Sequence, residues 1–89
     1  MIHLVTKQNI KCNEGIRKAS MKECVMFINR NSSILALDTE TTGYSPFLDR
    51  LLTLQIGTPE DQFIVDATTY DVSILKLHLE RVKIMLAIS

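Results

Sequence analysis

Apolar and polar positions follow two different periods along this chain, and the changes of period divide it into elements. "IHLV" (2–5) is an apolar run of strand length, while the polar "TKQNIKCNEGIRKA" after it has no period and reads as the least structured part. Ser20 and Glu23 stand at capping-box spacing, and Met21, Cys24, Val25 and Ile28 then recur at helical intervals until "NRNSS" breaks the pattern. One amphipathic helix is predicted there, with Cys24 on its buried face. "SILAL" is apolar on both faces, as a central strand would be. A turn-rich connection, "TTGYSPFLD", leads to "RLLTLQIG" and, after the turn "TPED", to "QFIVDA", so three strands in an antiparallel meander are expected.

After the loop "TTYDV", Ser73 is placed to cap a short helix through "ILKLHLE". Its periodicity turns Ile74 and Leu77 towards the core, with Leu75 and His78 as further candidates. "VKIMLAI" reads as a fourth strand; because a helix precedes it, it can lie parallel to the first. The expected class is α/β (α+β), in a single small domain over residues 1–89. An apolar strand at the end of the chain needs cover on both faces, so the domain is expected to be partial.

Composition narrows the class. Of the 89 residues, 46% are hydrophobic and 22% charged, which are values of a globular chain, and no apolar run is long enough to span a bilayer. The first ten residues carry neither a basic leader nor an extended apolar region, so a cytoplasmic protein without membrane association is expected. Cys12 and Cys24, with His3 and His78 distant from both, match no zinc-ligand spacing and read as reduced thiols. The formal charge is zero, but residues 1–30 hold six Lys/Arg against two Glu. A basic half able to meet phosphates beside an acidic half able to hold a cation is one reading of that asymmetry.

The candidate chemistry lies in "ILALDTETTG" (34–43), where a strand of apolar residues ends on Asp38 and Glu40. Residues two apart on a strand share a face and sit roughly 6–7 Å apart along the chain. That spacing suits carboxylates bracketing Mg²⁺ or Mn²⁺, and also the paired cations used in phosphodiester cleavage. Taken alone, D-x-E equally describes two solvated carboxylates at a strand end. Asp66, Asp71 and His78 read as turn, cap and boundary residues.

The wider pattern, "LALDTETTG" followed by "DRLLTLQIGT" and "QFIVDA", resembles the DEDD 3′–5′ exonuclease superfamily with its ribonuclease H-like fold. The nearest likeness is to proofreading domains of family A DNA polymerases, and it covers about residues 20–88. The resemblance implies that Asp38 ligates both catalytic cations and Glu40 one of them. It implies that Thr41, and with less weight Gly43 and Tyr44, contact the 3′-terminal nucleotide of a single strand, DNA rather than RNA. The superfamily's second and third motifs would fall beyond Ser89, so the chain corresponds to the N-terminal part of such a domain and is expected to be inactive alone. The alternatives are a non-catalytic, oligomerising or nucleic-acid-binding remnant of the fold, self-associating through the C-terminal strand, and a small module whose carboxylates hold a structural ion.

Overall fold

In the computed structural model, residues 1–43 and 50–87 are described, and they form a mixed six-stranded sheet with helices on one face. The strands are β1 (Ile2–Val5), β2 (Ile16–Lys18), β3 (Ile34–Thr41), β4 (Leu51–Gly57), β5 (Gln62–Asp66) and β6 (Ile84–Ala87). Their order across the sheet is β2-β1-β5-β4-β3-β6. β3, β4 and β5 make the expected antiparallel meander, and β6 lies parallel to β3 with Ile34 opposite Ile84. β1 joins the far side, parallel to β5. The connection 44–49 lies outside the described residues, but Thr42 and Arg50 close around it: the Thr42 amide donates to the Arg50 carbonyl at 3.0 Å, and the Arg50 amide to Thr42 Oγ1 at 3.0 Å.

One expectation fails at β2. The end of the "TKQNIKCNEGIRKA" segment pairs with β1 in parallel register, Ile2 opposite Ile16. Three residues are too few to display a period, and their conformation is set by a partner strand rather than by local propensity. Gly15, with φ of +85°, makes the turn into that strand, a conformation that favours glycine.

The helix α1 (Met21–Arg30) starts as the sequence predicts. Ser20 Oγ accepts from the Glu23 amide at 3.0 Å and Glu23 Oε1 accepts from the Ser20 amide at 3.3 Å, a reciprocal capping box. Arg17 on β2 extends it, donating to Glu23 Oε2 at 2.5 Å. The Arg17 and Ser20 contacts hold the Glu23 carboxyl below its ordinary range. Cys24, Phe27 and Ile28 point from α1 onto the sheet, where they meet Val5, Leu35, Leu54, Ile56, Phe63 and Val65. Complete burial pushes the Cys24 thiol up to about 12. His3 also faces inward, stacked on Phe63 with ring centroids 4.5 Å apart, its Nε2 2.8 Å from Asp61 Oδ1.

The second helical segment is a 3-10 turn (Val72–Leu75) running into α2 (Lys76–Glu80). Its N-cap is Asp71, whose carboxylate accepts from the Ser73 amide at 3.0 Å, so Ser73 lies inside the turn rather than at the cap. The buried phase is also different from the expected one. Val72, Leu75, Leu79 and Val82 pack inward, whereas Ile74 and Leu77 are exposed. Two phases of this apolar-rich segment fit a helical stripe, and the one that wins continues from Val72 to Val82 on both sides of the short helix. His78 is a boundary residue, half-buried with Nδ1 3.3 Å from Asn29 Oδ1 on α1.

Candidate metal centre

Pairing in an antiparallel ladder fixes which side chains share a face, and here it separates the core from the chemistry. Leu35 and Leu37 of β3 join Ile56 and Leu54 of β4 on the face covered by the helices. The alternate residues Ala36, Asp38 and Glu40 stand on the other, open face, opposite Gly57, Gln55 and Thr53 of β4. Asp38 and Glu40 therefore share one face, as their spacing requires. Asp38 is half-buried and Glu40 exposed.

Asp38 Oδ1 accepts from the amide of Thr39 at 2.8 Å, which orients the carboxylate; its second oxygen makes no hydrogen bond to the described residues. The Glu40 side chain makes no hydrogen bond to the described residues. Immediately after it the ladder slips: Glu40 stands opposite Thr53, but Thr41 stands opposite Leu51, so Leu52 is a bulge residue. A bulge bends the strand and re-aims the side chains beside it. Thr41 Oγ1 donates to the Gly43 carbonyl at 3.1 Å, so the turn after the carboxylates is held by its own side chain. Tyr44, the remaining predicted contact, lies outside the described residues.

Next to Asp38 is a cleft of about 800 Å³, lined by Ala36, Gln55, Gly57 and Leu86 among others. The small residues matter to its shape. A Cβ at Gly57 would come within 2.9 Å of Gln62 Cγ and 3.2 Å of the Asp61 carbonyl, so a side chain there would crowd the start of β5.

Asp66 ends β5 on the open face but is committed elsewhere. Its carboxylate accepts from Thr6 Oγ1 at 2.6 Å, Gln8 Nε2 at 3.1 Å, Thr69 Oγ1 at 3.2 Å, and from the amide and hydroxyl of Thr68 at 3.0 and 2.5 Å. Burial raises its proton affinity, yet these donors outweigh burial and hold the carboxyl below its ordinary range. Five donors saturate two oxygens, and Asp66 is a turn residue, as the sequence indicates.

The donor set fits a hard divalent cation in part. Two carboxylates on one face, with free oxygens, are the oxygen ligands that Mg²⁺ or Mn²⁺ accepts while keeping several waters. Among the described residues, no group of three or more His, Cys, Asp or Glu is gathered to hold an ion, so Asp38 and Glu40 stand as a pair. One residue of this neighbourhood is not singled out by the sequence motif: Thr53, opposite Glu40. Its signal is the alternation of "LTLQI", which sends Thr53 and Gln55 to the face of the carboxylates.

Comparison with known proteins extends the fold but not the family. No family model matches the chain, and no curated protein matches it. Among solved structures, the Aedes aegypti Nibbler EXO domain is similar with a TM-score of 0.63 and 14% sequence identity, over 99% of this chain and 38% of that chain. At that identity the likeness is one of fold. The chain thus has a mixed α+β architecture consistent with a truncated ribonuclease H-like fold, and it spans 38% of the length of the structure it resembles.

Proposed function

We propose that the chain is the N-terminal part of a metal-dependent 3′–5′ exonuclease domain of the DEDD kind, with proofreading domains of family A DNA polymerases as its complete counterpart. The observation that carries this reading is the placement of Asp38 and Glu40 on one open face of a strand, in a sheet whose fold is that of an exonuclease-type domain. Bound Mg²⁺ or Mn²⁺ would supply Lewis acidity and an activated water for phosphodiester hydrolysis. Asp38 and Glu40 are the residues that would hold it. Thr41, Gly43 and Tyr44 would position the terminal nucleotide of a single strand, DNA rather than RNA. The pair by itself binds the cation weakly and leaves the 89-residue chain with little or no hydrolytic activity.

The test pairs a cation titration with a nuclease assay on a 3′-labelled strand. Asp38→Ala is expected to abolish Mn²⁺ binding and Asp71→Ala to leave it unchanged, because Asp71 only caps a helical turn. Mn²⁺ binding that survives Asp38→Ala refutes the site.

A second reading, a non-catalytic remnant that self-associates, is favoured by one feature. Ile84 and Leu86 of β6 are 53% and 51% exposed beside Ile34 at 48%, an apolar stripe on the open face. Light scattering that gives a monomer mass across a concentration series removes it.

A further inference from the structure

Four residues cross the open face in one row, alternately hydroxyl and carboxylate. Asp66 stands opposite Thr53, and Thr53 stands opposite Glu40; Thr6, at the end of β1, closes the row on the far side through its hydrogen bond to Asp66. The first hydroxyl is satisfied. The second is not: Thr53 Oγ1 is buried and has no hydrogen-bond partner among the described residues. A buried hydroxyl without a partner is destabilising, so it calls for an explanation.

Asp66 does not provide one, because its two oxygens already take five donors. Glu40 does. It is exposed, its side chain makes no hydrogen bond to the described residues, and its Cβ lies within roughly 4.5–5.5 Å of that of Thr53, as directly opposed residues do. The bulge at Leu52 adjoins Thr53 on the same strand. The only other buried orphan among the described residues, His3 Nδ1, belongs to the covered face and is remote from this row.

We propose that Thr53 is a positioning residue for the cation site, donating a hydrogen bond from its hydroxyl to the Glu40 carboxylate when that side chain turns inward to hold Mg²⁺ or Mn²⁺. The inference rests on the reading of Asp38 and Glu40 as the ligands. A donor fixed on the neighbouring strand selects the ligating rotamer of a flexible glutamate. Outer partners of this kind typically change metal affinity ten- to a hundredfold.

The experiment is titration of the 89-residue chain with Mn²⁺, with free ion read by electron paramagnetic resonance, alongside thermal unfolding without metal. Thr53→Val removes the hydroxyl at constant shape. It is expected to weaken Mn²⁺ binding about tenfold or more, and to leave the melting temperature of the metal-free protein unchanged or higher, since the hydroxyl has no partner there. Thr53→Ser should restore the affinity. Thr6→Val, which also deletes a hydroxyl from the row, should lower the melting temperature and leave Mn²⁺ affinity alone.

Equal Mn²⁺ affinity in Thr53→Val and the parent overturns the proposal while leaving the ligand assignment standing, provided Asp38→Ala abolishes binding. A parent chain that binds no Mn²⁺, or binding indifferent to Asp38→Ala, overturns both.

Discussion

The two faces of the sheet are made from the same strands yet solve different problems. On the covered face, Leu35, Leu54, Ile56, Phe63 and Val65 meet α1 and the 3-10 turn through Cys24, Phe27, Ile28 and Leu75. On the open face, the same strands present Ala36, Asp38, Glu40, Thr53, Gln55 and Gly57, with exposed Ile34, Ile84 and Leu86 at one side. Strand alternation forces this division, because every second residue must leave the core. The lesson is that stability and candidate chemistry can be altered separately here, face by face.

The largest effect expected from that separation is in the core. Ile28, in the last turn of α1, is fully buried, and Ile28→Ala should destabilise the fold by about 2–5 kcal/mol. That is a large part of the roughly 5–15 kcal/mol available to a domain. Urea unfolding measures it, and alkylation of Cys24 reports the same loss, because a fully buried thiol reacts only when the helix leaves the sheet. Asp38→Asn, on the opposite face of the neighbouring strand, should leave the urea midpoint nearly unchanged. A comparable loss in both variants would break the division between faces.

Gly57→Ala tests the division where it is weakest. Gly57 belongs to the open-face set, yet it is buried, and an added methyl would meet Gln62 Cγ and the Asp61 carbonyl. Part of the clash is with backbone, which cannot swing aside as a side-chain end can. A loss of about 1–3 kcal/mol is expected, read from the same urea midpoint. A neutral result would mean that β4 and β5 can spread at this point.

Much of this arrangement was legible in the sequence where a pattern repeats and illegible where a partner decides. The capping box at Ser20 and Glu23, the meander and the parallel return of β6 follow from local period and from connection lengths. The shared face of Asp38 and Glu40 follows from strand geometry alone. By contrast, β2 is three residues long and exists because β1 offers it a ladder. The inward phase of the last helical segment runs from Val72 at its start to Val82 beyond its end, and the cap at Asp71 is set by a 3-10 turn that starts earlier than the apolar run suggests. The orphaned hydroxyl of Thr53 is a property of register and burial together, and neither is written in "LLTLQIG".

The smallest expected effect sharpens the comparison within the open face itself, between a carboxylate saturated by donors and a pair left available. Thr6 is buried and gives Asp66 the shortest of its contacts from another strand, at 2.6 Å. Asp66 is held below its ordinary proton affinity in the folded protein, by donors that outweigh the opposing effect of burial. A carboxyl depressed on folding contributes stability that is fully present above its unfolded value, near pH 4, and is lost as pH falls through the folded value. Thr6→Val removes one donor at constant shape, so the folded value should rise towards the unfolded one. At neutral pH the variant should be about 1 kcal/mol less stable. As pH falls through the folded values the difference should shrink, because Asp66 becomes protonated in both folded proteins and the contact no longer has a charge to serve. Circular dichroism of acid unfolding, with parent and variant followed from pH 7 to pH 2, measures both limbs. A stability difference that stays constant over the whole range would show that Thr6 acts through packing, and that the carboxylate of Asp66 is not what its hydroxyl supports.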